Sequence, residues 1–552
     1  DYYVDKTLYI EQLEVWGEDF VSFLRPRRMG KSLFVSLLEY YYGKEHKDKF
    51  AALFGNYYIG QRPTPLANQF AVLKMDFSAI DTTTEERAYR GFLGKIQSYI
   101  RGFNLKYLLF SKDELEHICQ LPSPELVMKN FFDVYQGEPI YFIIDEYDHF
   151  TNEILLQDLS AFKKAVTHQG YVRKFYEALK EATQKGIVNR LFITGVSPIT
   201  LDALTSGFNI ITHLTGEKAF HNMMGFTEAE VAHIIDLVLE DKTRQDKIMQ
   251  DLRTWYNGYR FHLESAHRMY NSDMVLYFAK HFQRYQAYPR QMLDPNIAPD
   301  YGKLKKMFEI QDPAGNYATL EKILHQGQIA DELIFQFSFD KGFSDAQFVS
   351  FLFYMGYLTI AGEAKGQTVF TVPNYVIQAL YWEYFSWLLA QREQVFFDEH
   401  QIRNMVGEMT VGNIQPFMAM IGEVLKTLSN RDYRNFDEKY IKIVIISFMA
   451  QAGIYQIKSE VETSSGYIDI LLLAPPTKKI EKEYIFELKY IKKKEARPEY
   501  IEAKKQEAQS QIRAYVAAEP GLQHNPKLLA YALLFVKDEL RVEAVDLNFS
   551  EK

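Results

Sequence analysis

One cysteine, Cys119, serves a chain of 552 residues. An intrachain disulfide and a zinc site of several thiolates are both excluded, and such cysteine usage fits a reducing cytoplasm. No apolar run reaches the roughly 18 to 20 residues that span a bilayer, so no membrane segment is expected. The opening residues DYYVDKTLYI lack the pattern of a secretory leader, and without a starting Met a few native residues are expected upstream. Excess positive charge is missing too. Against 63 Lys and Arg stand 72 Asp and Glu, a formal net charge of −9, so any pull on nucleic acid must come from a local basic patch. What the chain has in quantity is apolar and aromatic: 47% hydrophobic residues, with 38 Tyr and 41 Phe, argue for packed cores over disorder. At this length one core does not suffice, and two to four domains are expected.

The N-terminal part alternates strand and helix. A short apolar run, Val21 to Leu24, leads into RPRRMGKSL at Arg25 to Leu33, and an apolar-periodic stretch follows to Tyr42. In the phosphate loop GxxxxGK[ST], backbone N–H groups wrap phosphates, the Lys reaches the terminal ones and the hydroxyl holds magnesium. Gly30, Lys31 and Ser32 fit its last three positions, while Arg25 stands where the first glycine belongs. The segment Arg25, Arg27, Arg28, Met29, Gly30, Lys31, Ser32 and Leu33 is thus the candidate ATP cradle. In PIYFIIDEYD a fully apolar strand, Ile140 to Ile144, runs directly into Asp145 and Glu146. Such a strand is buried on both faces, and its acids emerge at the edge where open α/β sheets bind ligands. Asp145, with Ser32, is the candidate holder of Mg2+, and Glu146 the candidate to polarise the attacking water. Further strands end at Asp76 in VLKMDFS and at Thr194 in RLFITGVSP, where Thr194 or Ser197 could sense the terminal phosphate; these are also ordinary strand ends.

From Thr227 the pattern turns helical: TEAEVAHIIDLVLE opens on a Thr-x-x-Glu start, Thr227 and Glu230, and suggests a helical lid. The cluster Trp255, Tyr256, Tyr259 and Phe261 reads as core in preference to a base-stacking surface, and Arg260 could reach phosphates. The Pro-rich stretch Tyr288 to Gly302 marks an excursion or boundary. A helix near Asp345 to Met355 and a strand pair near 357–360 and 368–372 suggest a small winged-helix-like unit.

The C-terminal part carries a second set of groups. GYIDILLL and EYIFELKY read as a hairpin in which residues alternate between faces. Glu487 and Lys489, two apart, share a face that Asp469 on the neighbouring strand can join. Asp469, Glu487 and the carbonyl of residue 488 could ligate Mg2+ or Mn2+, with Lys489 placed to orient or help deprotonate a water. Glu438 begins the preceding helix as a further carboxylate, with Glu460 as its alternative. Gln511 and Tyr515, four apart in EAQSQIRAY, share a helical face. Between Lys489 and Lys505 seven Lys or Arg stand against three Glu, a run that could track a phosphate backbone or simply be a solvated face.

YVDKT at Tyr3 to Thr7, RPRRMGKSL, IIDEYD, VRKFYEALK, FITGVSP, GFTEAEV and WYNGYRF, in that order, resemble the AAA-ATPase-like domain of bacterial proteins that end in a PD-(D/E)XK nuclease domain. In that family an Arg at the first loop position is usual. The later order of Glu438, GYIDI, IFELK and QIRAY is similar to the nuclease fold itself, with Ile468 replacing the proline that usually precedes the aspartate. The resemblance implies a multidomain α/β chain: a P-loop NTPase core over 1–220 with a parallel sheet and helices on both faces, a helical lid over 221–300, a winged-helix-like connector over 301–395 and a restriction-endonuclease-like domain over 396–552. It implies Glu438, Asp469, Glu487 and Lys489 as the catalytic set with Gln511 in support, ATP and Mg2+ as cofactors, and nucleic acid, DNA in preference, as partner. A homo-oligomer stays open, because many P-loop sites are completed by a neighbouring subunit's arginine. The competing expectation is a nucleotide-dependent switch or scaffold whose nuclease-like domain only binds nucleic acid or a protein.

Overall fold

The computed structural model describes residues 2–167, 169–204, 208–294, 303–310, 312–337, 343–393, 398–429, 437–536 and 539–547. Two compact units emerge: Asp1–Arg284 with Asn296–Thr319 and Gln328–Asn374, and Tyr285–Pro295 with Leu320–Gly327 and Tyr375–Lys552. Most of the stretches read as lid and winged-helix-like connector fall in the first unit together with the strand-helix core. The boundaries expected at 300/301 and 395/396 lie outside the described residues.

In the first unit, strands β1 (Phe20–Leu24), β2 (Ala71–Asp76), β3 (Ile140–Asp145), β4 (Val188–Gly195) and β5 (Thr212–His213) form one sheet in the order β2-β3-β4-β1-β5. Every pairing is parallel, which requires a long return between strands, and helices such as Lys31–Tyr42, Glu85–Tyr107 and Tyr171–Gln184 supply it. All six residues of β3 are buried, as its unbroken apolar sequence demands. Parallel order also gathers the strand ends on one edge: Asp76 is in register with Asp145, and Leu24 with Gly195. The phosphate-loop sequence therefore leaves the sheet at the same edge as the two acids.

Farther along, Thr227 and Glu230 form the reciprocal capping box their spacing predicts, starting the helix Glu228–Val238. The helix Asp345–Tyr354 is followed by β7 (Thr359–Ala364) and β8 (Gln367–Thr371), and β6 (Gln328–Asp331) completes an antiparallel sheet in the order β6-β8-β7. Tyr256, Tyr259 and Phe261 are buried, the core role that the cluster's sequence favoured, while Trp255 is half-buried. Arg260 turns to this small sheet: its Nε donates to the carbonyl of Ile360 at 3.0 Å and its backbone N–H to Thr359 Oγ1 at 2.7 Å. Next to it Gly258 has φ +118°, and a Cβ there would lie 1.8 Å from the carbonyl oxygen of Pro373.

The second unit holds β9 (Gln456–Thr463), β10 (Gly466–Leu473), β11 (Glu483–Ile491), β12 (Leu528–Val536) and β13 (Glu539–Val545) in the order β13-β12-β11-β10-β9. The pairs β9/β10, β10/β11 and β12/β13 are antiparallel; β11/β12 is parallel, and the helix Pro498–Ala518 makes the crossover. Ala508, Ile512, Tyr515 and Val516 of that helix pack with Ile468, Ile485, Ile491 and Ala532 of the sheet. Each isoleucine or valine among them stabilises by roughly 1.5–3 kcal/mol when fully buried, so the helix is fixed in rotation and its 511/515 face is determined.

Gly258→Ala should lower the thermal midpoint of the first unit strongly, by the equivalent of about 2 kcal/mol or more, because it meets both an unfavourable φ and a backbone clash. Differential scanning calorimetry of the variant beside the parent chain checks this; an unchanged midpoint would contradict the described turn.

Candidate functional site

The phosphate-loop sequence forms the floor of a cleft of about 630 Å3 in the first unit. Gly30, at φ +93°, caps the helix Lys31–Tyr42, a backbone conformation open to glycine and costly for other residues. Lys31 is buried; its Nζ donates to the carbonyl of Pro26 at 3.2 Å and stands 3.9 Å from Glu146 Oε1. Burial pushes the Asp145 carboxyl above its ordinary pKa, against the opposing influence of the nearby Ser32 hydroxyl. Glu146 sits in the left-handed region at φ 49°, the kind of strained backbone that clusters at ligand sites. Arg27, Arg28, Met29, Gly30, Lys31, Ser32, Leu33 and Glu146 all line the cleft, with Asp76 and His149 beside them.

The loop is held by residues far away in sequence. The carbonyl of Met29 accepts from Gly225 N at 2.8 Å, that of Arg28 from the Ser272 hydroxyl at 3.0 Å, and that of Arg27 from the Asn271 amide at 3.2 Å. Asp5 and Lys6 of the opening motif have distinct duties. Asp5 accepts from Thr7 and from the backbone of Tyr58, while Lys6 Nζ ion-pairs with Glu230 at 2.7 Å and donates to the carbonyl of Asn222.

Three residues read as nucleotide candidates are buried and do not line the cleft. The Arg25 guanidinium is buried, 4.1 Å from the centres of the Phe23 and Phe261 rings, and donates to the carbonyls of Leu24, Thr215 and Phe220. Burial pulls its pKa down, and the three carbonyls and two ring faces offset the cost of the charge. Arg25 thus braces the base of the loop. Thr194 is fully buried, its hydroxyl donating to the carbonyl of Phe23 at 2.7 Å, which ties β4 to β1. Ser197 is likewise buried, donating its hydroxyl to Asn152. Asp148, not singled out in the sequence, accepts from the N–H groups of Val196 and Ser197 and from Asn152, clamping the ends of β3 and β4 together. Gly195 is obligatory under that clamp, since a Cβ would come 2.2 Å from Asp148 Oδ1.

In the second unit, the strand pair brings the sequence-predicted acids together. Asp469 Oδ2 accepts the backbone N–H of Leu488 at 2.8 Å, which sets Asp469 between the flanking side chains of Glu487 and Lys489. Lys489 Nζ donates to Glu487 Oε1 at 2.9 Å, and Glu487 Oε2 is buried with no hydrogen-bond partner. Burial, the negative Asp469 and the nearby Glu438 push the Glu487 carboxyl up to about 8, against the opposing pull of Lys489. Asp469 and Glu438 are also raised, by burial first. Burial alone would lower Lys489, but Glu487, Glu438 and Asp469 raise it overall. Glu438 Oε2 accepts from Tyr490 N at 3.2 Å, joining the start of the helix Glu438–Ala452 to the end of β11.

On the crossover helix, Glu507 lies 3.9 Å from Lys489, and the charge of Glu487, after burial, raises the Tyr515 phenol to about 12. Gln511 stands between them on the same face, its Oε1 buried without a hydrogen-bond partner. Lys442 was missed by the sequence reading. It is buried one turn after Glu438, ion-paired to Glu460 and 3.7 Å from Asp469 Oδ1; the i,i+4 spacing from Glu438 was the available signal. Glu460 is therefore the partner of a lysine in this arrangement, and Glu438 the acid that reaches β11.

The donor set suits a hard divalent cation. Among the described residues no three His, Cys, Asp or Glu side chains form a ready cage, so a metal would draw on Asp469, Glu487 and the carbonyl of Leu488 with water completing its shell. The unpartnered oxygen of Glu487 and the mutual repulsion of two buried carboxylates are what such a cation would relieve.

Residues 1–205 match the family model described as predicted AAA-ATPase, and residues 436–544 match that of the PD-(D/E)XK nuclease superfamily. Over 482 residues, 86% of this chain and 83% of the relative, the sequence is 24% identical to an uncharacterised protein in the vnfD 5′ region of Azotobacter chroococcum mcd 1. A Walker-type ATPase of Pyrococcus abyssi is similar in structure at a TM-score of 0.40 and 10% identity, across 68% of this chain and 94% of that one. No described helix is long and apolar enough to cross a membrane. The chain accordingly joins an AAA-ATPase-like domain at residues 1–205 to a PD-(D/E)XK nuclease superfamily domain at residues 436–544.

Proposed function

We propose that the first unit binds ATP with Mg2+ and that the second is a metal-dependent nuclease acting on DNA, with the nucleotide governing cleavage. The observation that carries the nuclease reading is the convergence of Asp469, Glu487 and Lys489: one acid is pinned to the strand of the other two groups by the 2.8 Å bond to Leu488, and Glu487 keeps an oxygen free of hydrogen bonds. A divalent ion held by Asp469 and Glu487 would lower the pKa of water and stabilise charge on the phosphate. Lys489 orients the attacking water and Glu487 sets the position of that ammonium. Gln511 offers its amide toward the substrate from the helix face it shares with Tyr515. The exposed lysines 492 to 494 attract the phosphate backbone without reading bases.

At the nucleotide, Lys31 reaches the terminal phosphates, Ser32 and Asp145 hold the magnesium, and Glu146 polarises the attacking water. The support is the Lys31 to Glu146 approach of 3.9 Å inside one cleft that Ser32 also lines, with Asp145 at the end of β3 beside it. Arg25 and Thr194 act behind this layer, on the shape of the loop and the spacing of β1 and β4.

Asp469→Ala should lower Mg2+-dependent cleavage of plasmid DNA by at least about a hundredfold and leave binding of a fluorescent ATP analogue intact. Lys31→Ala should do the reverse at the binding step. Cleavage retained in Asp469→Ala would defeat the nuclease reading. Metal binding should also depend on pH with a definite sign. A carboxyl at about 8 is mostly neutral at neutral pH and ionises as pH rises, so Mn2+ affinity should climb roughly tenfold from about pH 7 to about pH 9. Isothermal titration calorimetry should show this rise in the parent chain and its loss in Glu487→Gln; a flat parent profile contradicts the assignment.

A further inference from the structure

The metal-binding acids leave one buried cation unexplained. Lys442 projects from the helix Glu438–Ala452 with its side chain only 9% exposed, and its Nζ is 3.7 Å from Asp469 Oδ1, too far for a hydrogen bond. Its ion-pair partner is Glu460, on the strand opposite Asp469. Removing an ammonium from water is costly unless it is well paired, and the partner supplied here is the least committed acid of the group. The Glu460 side chain is 53% exposed, against 15% for Asp469 and 4% for Glu487. Its backbone is also unusual. Glu460 has φ 51° inside β9, and the ladder runs from Ile468↔Val461 to Ile470↔Ser459 without a Glu460 to Asp469 pair. A non-glycine residue in the left-handed region within a strand is strained, and the surrounding structure has to hold it in place.

Charge balance gives the pair a use. Glu438, Asp469, Glu487 and Glu460, with Glu507 beside Lys489, outnumber the two ammonium groups of Lys442 and Lys489, so full ionisation of the acids leaves an excess of negative charge that a divalent cation would neutralise. A phosphodiester entering beside that cation brings one more negative charge. The acid able to yield is Glu460, since its carboxylate already borders water and loses little solvation by turning out. Its departure frees an ammonium that stands next to a metal-binding oxygen.

We propose that Lys442 is a phosphate-binding residue of the nuclease site, held by Glu460 in the free protein and passed to a non-bridging oxygen of the scissile phosphodiester when substrate binds. This rests on the nuclease reading and adds to it a second lysine, on the side of Asp469 opposite the backbone of β11. Lys489 serves the water, and Lys442 the phosphate.

The test is fluorescence anisotropy of a labelled DNA duplex of roughly 30 base pairs with the full chain, in Ca2+ to permit binding without turnover, across about 50 to 250 mM KCl. In duplex DNA each phosphate contact contributes about 0.9 to the slope of log affinity against log salt. Lys442→Met should therefore weaken binding and make the slope shallower by about 0.9, and Lys442→Arg should retain the parent slope. Glu460→Gln, which removes the competing acid, should tighten binding several-fold with the slope unchanged. A lysine that merely fastens its helix to β9 would weaken binding without altering the slope. A parent slope in Lys442→Met, or weaker binding in Glu460→Gln, overturns the proposal while leaving the nuclease reading standing. A parent chain that binds no duplex at any salt overturns both.

Discussion

The hydrogen bond from Leu488 N to Asp469 Oδ2 joins two levels of the second unit. It is a bond between neighbouring strands, and it also sets a carboxylate against a strand whose flanking side chains are Glu487 and Lys489. Carboxylates this deep are tolerated because they are partnered: Asp469 by a backbone N–H, Glu487 by Lys489, and Glu438 by Tyr490 N. What partnering does not cancel appears as raised pKa values and as one Glu487 oxygen without a hydrogen bond. The burial cost and the repulsion within this array of acids are both of the kind that opposite charge relieves.

The first unit solves a related problem by a different route. Its phosphate-loop sequence has an arginine where a glycine gives the turn its freedom, and that side chain is withdrawn from the cleft into a pocket of carbonyls and aromatic rings. Carbonyls of the loop itself are tied to Gly225, Asn271 and Ser272, so its shape is imposed by segments more than 190 positions later in the chain. Lys6 and Glu230 extend the same bracing from the opening motif to the helix start at Thr227. Motif pieces scattered along the sequence, YVDKT, GFTEAEV and WYNGYRF, thus share a mechanical task around the cleft. That gives Lys6 and Arg25 a role in shaping the cleft, next to the groups expected to meet phosphate.

Strand-end chemistry was legible where it depended on local order. The fully apolar β3 running into Asp145 and Glu146, the Gly30-Lys31-Ser32 turn before a helix, and the two-residue spacing of Glu487 and Lys489 each fix a side chain's direction through the period of a strand or the start of a helix. Thr194, Ser197 and Arg25 show where that legibility ended. Their positions along the chain matched a ligand site, but which way a hydroxyl or guanidinium turns is decided by the carbonyls and rings that other elements bring. Asp148 and Lys442 were missed for the same reason, since Val196 and Ser197, which clamp the one, and Glu460, which pairs with the other, lie 18 to 49 residues away.

The sequence by itself determined the elements, their order, the two motif-bearing regions and the faces on which Asp469, Glu487 and Lys489 had to lie, because periodicity and apolar continuity are properties of neighbouring residues. Tertiary structure alone decided the strand order β2-β3-β4-β1-β5, the withdrawal of Arg25, the pairing of Lys442 with Glu460 and the burial that raises Glu487. These depend on desolvation and on partners supplied from a distance, and neither quantity exists until the chain has folded around the group concerned.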